Sequence, residues 1–337
     1  MVNNISNTMI FTEKPNILSY ASIVGKKEGE GPLKDDFDKI IYDAYGGKET
    51  FEQAESALVS EAVTLALQKG GFSAGDIEYA FCGDLLNQCI ASSFGMRSFQ
   101  IPYIGIYGAC STMALGLILS SITIESAACQ KALCAASSHF CSAERQYRFP
   151  LEYGGQRPPT TQWTVTGAGC CVLSRHESDD KPYIHCAQIG SIIDMGITDQ
   201  NNMGAAMAPA AADTICKFLK NTNTSVEDYD MIYTGDLGKI GSKLLYELLE
   251  KEGIELKSNH KDCGVMIFQN GDMDVHSGGS GCGCCASVLC GHILNSMCEK
   301  KQKNILFIPT GALMSPTTVL QKESIPSIAH LVNIKID

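Results

Sequence analysis

The sequence has no excess of basic residues. Lys and Arg number 26 against 37 Asp and Glu, which gives a formal net charge of −11. General nucleic-acid binding needs a basic surface, so this balance argues against nucleic acid as a partner. An anionic ligand would need a local pocket of cationic side chains or free backbone N–H groups, because the protein as a whole repels it.

Long hydrophobic runs are also absent. The longest apolar stretch, 113–124, is interrupted by two serines and a threonine and is shorter than the ~20 apolar residues of a membrane-spanning helix. It predicts a buried core helix, so we expect any membrane association to be peripheral. Residues 1–10 are polar and lack the basic start and apolar centre of a secretory signal. This pattern favours an intracellular protein.

The 16 cysteines are too few for a disulfide scaffold, in which they make up ~8–10% of the residues. The segment Cys282-x-Cys284-Cys285 lacks the two separated cysteine pairs of a zinc site. Glycines around it indicate a tight turn before a buried helix. We therefore expect reduced thiols, no metal and no cofactor.

The two halves of the chain resemble each other. Five segments of the first half each have a counterpart in the second half, in the same order. Strand-like runs begin at Lys14 and Lys181, and helices are predicted over 50–69 and 205–219. Strands that end in Gly-Asp-Leu at Leu85 and Leu237 follow, then small-residue segments around Cys110 and Cys282, and last the strands over 131–139 and 303–312. Alternating strands and helices predict an α/β fold with a mostly parallel sheet in each half. We expect two duplicated βαβαβ halves, 1–176 and 177–337, with a ligand between them.

The second half is longer by about twenty residues between its Gly-Asp-Leu and its cysteine-rich segment. In this extra length, the pattern predicts a helix over 243–252 and a loop over 262–273.

Cys110 follows several small residues and precedes the predicted core helix. Free N–H groups at a helix start favour a thiolate, and small neighbours admit a substrate. This is the setting of an acyl-enzyme nucleophile. The alternative is one more buried thiol.

Polar residues end the predicted strands of the first half. Asp84 and its counterpart Asp236 lie where open α/β sheets bind ligands, although both could instead cap the next helix. We prefer Asp84, because its half also holds Cys110. His139 follows another strand end and is expected near Cys110, as a donor to a ligand carboxylate, a partner of the thiol or a packing residue.

Three arginines follow His139, at Arg145, Arg148 and Arg157. Arginine suits bidentate binding of a carboxylate. Trp163 could stack on an aromatic ring, with packing as the alternative.

Duplicated α/β halves with a cysteine at a helix start resemble the thiolase superfamily. Residues 166–173 are similar to the Gly-Asp-Gly-Ala-Gly strand of β-ketoacyl-ACP synthase III, and 230–236 to its segment that ends in His-Gln. The resemblance implies a layered α/β/α/β/α core. It also implies lost catalysis, because Gly235 and Cys282 stand where that family has the His and Asn that polarise the substrate carbonyl. Losing one such donor typically costs about 10²–10³ in rate.

A narrower resemblance rests on four strings, Gly83–Gln88, Tyr107–Thr112, Ser137–Phe140 and Gln156–Trp163. They look like the stage V sporulation protein AD family, the thiolase-like component of spore dipicolinate uptake. The resemblance implies a non-catalytic protein that binds dipicolinic acid, alone or with calcium. It also implies a homodimer at the spore inner membrane, held there by other, membrane-embedded proteins of the stage V A operon.

The ligand site implied by the resemblance consists of six residues: Asp84, Leu85, Cys110, Ser138, His139 and Arg157. Two other functions stay open. The chain could be an active cysteine-dependent acyltransferase with His139 or His276 as base, or a structural subunit with a vestigial pocket.

Overall fold

The computed structural model describes residues 3–147, 157–256, 258–268 and 273–337. Its strands are β1 (Asn3–Ile5), β2 (Thr8–Ile10), β3 (Asn16–Gly25), β4 (Lys39–Ile41), β5 (Tyr79–Gly83), β6 (Tyr103–Gly105), β7 (Lys131–Ser138), β8 (Trp163–Thr164), β9 (Gly167–Ser174), β10 (Tyr183–Gln188), β11 (Met231–Gly235), β12 (His260–Asp262), β13 (Gly279–Ser280), β14 (Asn304–Ala312), β15 (Ser327–Ala329) and β16 (Leu331–Lys335).

Helices alternate with these strands. They are α1 (Phe51–Gly70), α2 (Ile90–Met96), α3 (Thr112–Glu125), α4 (Phe140–Tyr147), α5 (Met203–Thr222), α6 (Gly238–Lys251), α7 (Cys263–Ile267), α8 (Cys282–Val288), α9 (Leu294–Cys298) and α10 (Pro316–Leu320), with a π-helical turn (Leu289–Ile293) between α8 and α9. Shorter 3-10 turns are Glu28–Glu30, Lys34–Asp36, Ala74–Asp76, Asn87–Cys89, Gln200–Asn202 and Val226–Asp228.

The main strands form two runs that follow one plan. The first run has the order β3-β9-β7-β5-β6 and the second β10-β16-β14-β11-β12. In both, the second strand is antiparallel to its two neighbours and the remaining pairs are parallel. The runs meet where Asn16 of β3 pairs with Tyr183 of β10. The duplication predicted from the sequence is therefore confirmed in the topology.

The sheets are less parallel than predicted, because β9 and β16 run against their neighbours. Ser138 at the end of β7 lies opposite Gly167 at the start of β9. The chain therefore re-enters the sheet at the end where β7 left it, without crossing over the sheet. The predicted loop over 262–273 is also wrong in part, since it contains the end of β12 and the whole of α7.

The helices form three layers around the two runs. Helices α1 and α2 cover the outer face of the first run, α3 and α8 lie between the runs, and α5 and α6 cover the second. Buried side chains fill each interface, for example Val63 and Leu133 in the first, Leu117 and Val288 in the middle, and Phe218 and Leu306 in the last. This is the expected α/β/α/β/α arrangement.

Local signals explain where the long helices begin and end. Thr50 caps α1 by accepting the N–H of Gln53 at 3.2 Å, and Gly71 ends it with a φ of 71°.

The apolar segment predicted as a core helix forms α3, which is buried between the runs. Among the described residues, no helix combines the length and the apolar composition that crossing a membrane requires.

The N-terminal hairpin of β1 and β2 joins the other half of the protein. Its strand β2 pairs with β10, Ile10 opposite Cys186. Lys14 also forms an ion pair of 3.0 Å with Asp337. The boundary between residues 176 and 177 stays a prediction, and the N-terminal hairpin lies on the second run.

The central layer contacts the first run through glycine. A Cβ on Gly169 of β9 would lie 2.4 Å from the carbonyl oxygen of Ala286, and one on Gly283 would lie 2.2 Å from that of Gly167. Both obstacles are backbone atoms, which cannot rotate away. Helix α8 therefore rests directly on the backbone of β9.

We expect Gly169→Ala to lower the free energy of unfolding by about 1–3 kcal/mol, because overpacking forces backbone shifts. Gly75→Ala is the matched control, since a Cβ there would meet only the Ser73 hydroxyl at 3.7 Å. It should change the free energy by less than about 0.5 kcal/mol. Urea unfolding of both variants measures the difference. Equal effects would contradict the backbone contact.

Candidate functional site

Cys110 lies directly before α3, in a turn that both halves hold. The hydroxyl of Thr112 donates to the carbonyl oxygen of Ala109 at 2.6 Å and accepts the N–H of Gly108 at 3.1 Å. From the second half, the N–H of His330 donates to the Ser111 hydroxyl at 2.9 Å. The turn is therefore fixed in position before any ligand arrives.

The start of α8 packs against this turn. The Cys282 thiol donates to the carbonyl oxygen of Ala109 at 2.9 Å, and the Cys285 thiol donates to that of Cys110 at 3.2 Å. Gly281 has a φ of 107° and a Cβ there would lie 2.6 Å from the Ser138 hydroxyl. The hydrogen bond of the Cys282 thiol therefore goes to the Cys110 turn and not to a substrate.

A cavity of about 60 Å³ lies beside Cys110. Its lining comes from both halves and includes Leu85, Tyr107, Tyr147, Thr164, Met203 and Met314. This volume is well below the ~300–1,000 Å³ of typical small-molecule sites. A larger ligand must displace side chains, and the two methionines are the most adaptable of them.

Asp236 is a fully buried carboxyl group near Cys110. Neither carboxyl oxygen makes a hydrogen bond of normal geometry to the described residues. Burial, and then the nearby carboxyl group of Asp262, raises the pKa of Asp236 well above its usual value. Its backbone has a φ of 71°, which is unusual for a residue with a side chain. Strain of this kind is often found at functional sites.

Cys110 is a neutral thiol at physiological pH. Burial, and then the Asp236 carboxyl group, raises its pKa well above the usual value. The N–H of Gly281 acts in the opposite direction but is outweighed. The predicted helix-start preference for a thiolate is not confirmed, because desolvation of the sulfur exceeds the effect of the N–H groups.

The neighbouring strand end holds Asp84 in a structural role. Its carboxylate accepts the N–H of Leu86 at 2.9 Å and both the N–H and the hydroxyl of Ser92 at 2.7 Å. Burial raises the pKa of Asp84 in spite of these bonds. The carboxylate fixes the loop that carries Leu85 into the cavity. Asp236, and not the preferred Asp84, is the carboxyl group that shifts the pKa of Cys110.

His139 lies in a different cavity. Its Nε2 donates to the carbonyl oxygen of Ala44 at 2.8 Å, and its Nδ1 accepts the N–H of Cys141 at 3.2 Å. Burial lowers its pKa, so the ring is neutral. The Ser138 hydroxyl donates to the carbonyl oxygen of Val165 at 2.7 Å. Neither His139 nor Ser138 is among the residues that line the Cys110 cavity.

The predicted arginines are engaged elsewhere. Arg145 forms an ion pair with Glu52, and Arg157 donates to the carbonyl oxygen of Gln162 and lies 4.9 Å from the centre of the Trp163 ring. Arg148 lies outside the described residues. His276, a candidate base, pairs with Asp274 at 3.2 Å. Of the two described arginines and this histidine, none lines the Cys110 cavity.

The sequence therefore predicts two residues of the cavity wall, Cys110 and Leu85. It misses Tyr147, Met203 and Met314, which come from α4, α5 and the loop after β14. Tyr107 lies inside the string that holds Cys110 and could have been named from it. Among the described residues, no group of three or more His, Cys, Asp or Glu is arranged to hold a metal ion.

The position of the expected catalytic histidine has no room for a side chain. A Cβ on Gly235 would lie 2.9 Å from the Cβ of Cys285 and 3.2 Å from the Cα of Pro309. The Cys282 thiol, at the expected asparagine position, is bonded to the carbonyl oxygen of Ala109. Neither Gly235 nor Cys282 therefore offers a side-chain donor to a developing oxyanion.

Solved structures of thiolase-like condensing enzymes share this fold. A histidine-to-asparagine variant of Xanthomonas campestris OleA with cerulenin matches 99% of this chain and 100% of its own, with a TM-score of 0.61 and 13% identity. The 3-oxoacyl-[acyl-carrier-protein] synthase III of Aquifex aeolicus VF5 matches 95% of this chain and 99% of its own, with a TM-score of 0.59 and 13% identity. The protein is thus thiolase-like in fold.

Sequence similarity defines the family. A model of stage V sporulation protein AD (SpoVAD) matches residues 5–335. The stage V sporulation protein AD of Bacillus subtilis (strain 168) is 42% identical over 323 residues, which are 96% of this chain and 95% of the relative. The chain belongs to the stage V sporulation protein AD family.

We expect Asp236→Asn to make Cys110 several-fold more reactive toward iodoacetamide at alkaline pH. The amide removes a charge that opposes ionisation of the thiol. The rate would be followed by mass spectrometry of the Cys110 peptide as a function of pH. Asp84→Asn is the control, because that carboxylate is bonded to Ser92. An unchanged pH dependence in the Asp236 variant would show that the two groups do not interact.

Proposed function

We propose that the protein binds dipicolinic acid in the Cys110 cavity during spore formation and catalyses no condensation. The observation that carries the proposal is a condensing-enzyme cavity that keeps its cysteine without either oxyanion donor, since Gly235 is packed on Cys285 and Cys282 is bonded to Ala109. Family membership supports the role in sporulation. The ligand follows from the resemblance to the dipicolinate-uptake component.

The charge of the cavity favours the calcium chelate over the free dianion. Its described lining includes the carboxyl group of Glu144 and contains no Lys or Arg. A buried dianion without a cationic partner is strongly disfavoured, whereas one Ca²⁺ cancels both ligand charges. Calcium takes 6–8 oxygen ligands, so a chelate has positions left for oxygens of the wall, such as those of Glu144 or the Tyr107 and Tyr147 hydroxyls.

Entry of the ligand requires the cavity to widen. Leu85 and Tyr107 come from the first half, and Met203 and Met314 from the second. A small displacement of the methionine side chains would enlarge the space between the halves. The ring would then lie against apolar side chains, with its polar edge toward the N–H groups at the start of α3.

The proposal includes a place at the spore inner membrane through protein partners. The net charge of −11 opposes attraction to anionic lipid, so other, membrane-embedded stage V A proteins would recruit the chain. We also propose a homodimer through the first run. Its last strand, β6, and the adjacent α2 expose apolar side chains, with Phe94 52% and Ile104 40% exposed.

Titration calorimetry should detect dipicolinate binding, tighter with calcium than without it. Cys110→Trp should abolish the binding, because the indole fills the cavity. His139→Ala is the matched control and should bind as the unaltered protein does, since His139 lies in a different cavity. The melting temperature of each variant shows whether it is folded.

Unchanged binding in Cys110→Trp would place the ligand elsewhere. Absence of binding to either form of dipicolinate would favour the structural-subunit alternative. Incubation with acyl-CoA tests the remaining alternative. Stable acylation of Cys110, with thioester consumption lost in Cys110→Ser, would show that the chain is an acyltransferase.

We expect the purified chain not to float with vesicles of anionic lipid at physiological salt, and to float with membranes that contain the other stage V A proteins. The physical reason is electrostatic repulsion from bare lipid. Flotation in a density gradient, followed by immunoblotting, measures both. Strong binding to bare vesicles would refute recruitment by protein contacts.

A further inference from the structure

A second and larger cavity lies on the other side of α4 and β8. Its volume is about 370 Å³, within the ~300–1,000 Å³ of typical small-molecule sites. We call it the Trp163 chamber. It lies between α1, α4 and the loops that flank β4, and its wall includes Lys27, Ile41, Leu58, His139, Phe140 and Trp163. Cys110 is not part of this wall.

Lys27 brings a positive charge into the chamber. Its Nζ lies 3.4 Å from the centre of the Trp163 ring and donates to the carbonyl oxygen of Met273 at 2.7 Å. It makes no ion pair within 4 Å to any residue that the structure describes. An ammonium group with one neutral acceptor and an aromatic face still has donors available for an anion.

The acidic groups around the chamber are already engaged. The pairs are Glu28 with the N–H of Thr166 at 3.0 Å, Asp43 with the N–H of Tyr45 at 3.2 Å, Glu61 with Lys39, and Glu30 with Lys26 at 4.0 Å. Lys27 is therefore the cation of this wall that lacks a carboxylate partner among the described residues. An incoming carboxylate would supply that partner.

Apart from these charged groups, the wall is mostly apolar and aromatic. Phe140 and Trp163 are stacked, with ring centres 3.8 Å apart and planes 8° apart. Ile41, Leu58 and the small side chain of Ala57 complete the surface. One ammonium without a carboxylate partner, beside an apolar and aromatic surface, suits a carboxylate on an apolar body better than a phosphate, which needs several converging donors.

We propose that the Trp163 chamber is a second ligand site, which binds a small aromatic monocarboxylate with its carboxylate on Lys27 and its ring against Phe140 and Trp163. The second carboxylate of dipicolinate would face the acidic side chains of this wall, among them Glu28 and Asp43, so dipicolinate is not a ligand of the chamber. The inference goes beyond the proposed function, because the chamber does not include Cys110. The two cavities are nevertheless neighbours. Trp163 lines the chamber, and the next residue, Thr164, lines the Cys110 cavity.

Trp163 is the only tryptophan of the chain, so its fluorescence reports directly on the chamber. Benzoate, as the probe, should change the emission in a saturable way. Lys27→Met should weaken benzoate binding about ten-fold or more, since an interaction with a charged group is lost. Lys34→Met is the matched control, because Lys34 is exposed and does not line the chamber. The affinity of this variant for benzoate should stay within about two-fold of that of the unaltered protein.

Three further probes separate the contributions of ring and charge. Benzyl alcohol, acetate and inorganic phosphate should each bind at least ten-fold more weakly than benzoate. Ala57→Phe fills the chamber from α1 and should abolish the response, while calorimetry of dipicolinate with this variant tests the Cys110 cavity separately. A response to benzoate that survives Ala57→Phe, equal affinity for benzyl alcohol, or equal losses in Lys34→Met and Lys27→Met would each overturn the proposal.

Discussion

The contact between α8 and β9 determines the distance between the two halves of the protein. Helix and strand touch through backbone atoms, because Gly169 and Gly283 present no side chains. At this distance the thiols of Cys282 and Cys285 reach the carbonyl oxygens of the Cys110 turn. A wider separation would break these contacts and open the small cavity. The geometry of the site is therefore a consequence of glycine packing in the central layer.

The same packing explains the electrostatics of the site. Cys110 and Asp236 are both buried, and burial is the largest cause of the raised pKa of each group. Where a condensing enzyme needs donors that stabilise developing charge, this chain has a tight cluster of neutral groups. Under the proposed function, this site selects its ligand by shape and by cancelled charge and does not stabilise an oxyanion.

The sequence was sufficient to predict the architecture, because a duplicated pattern appears twice and each copy supports the other. The reversal of β9 was not predictable, since strand direction depends on where the connecting segment re-enters the sheet. At the site, the ends of the strands show which edge of the sheet a residue lies on, but not which face of the sheet its side chain is on. His139 and Leu85 both follow first-half strands, yet they line different cavities. The carboxyl group that shifts the pKa of Cys110 is that of Asp236, whereas Asp84 is bonded to Ser92. The preference for Asp84 as a ligand residue stays a prediction.

The position of the N-terminal hairpin has a consequence for biosynthesis. Strand β2 pairs with β10, and the Thr8 hydroxyl donates to the side chain of Gln188, 180 residues further along the chain. During translation, the hairpin leaves the ribosome long before this partner exists. The edge of β2 must remain without its partner strand until β10 has been made, so docking of the hairpin follows synthesis of the first half. Contacts between such distant residues slow folding and leave strand edges exposed in the meantime.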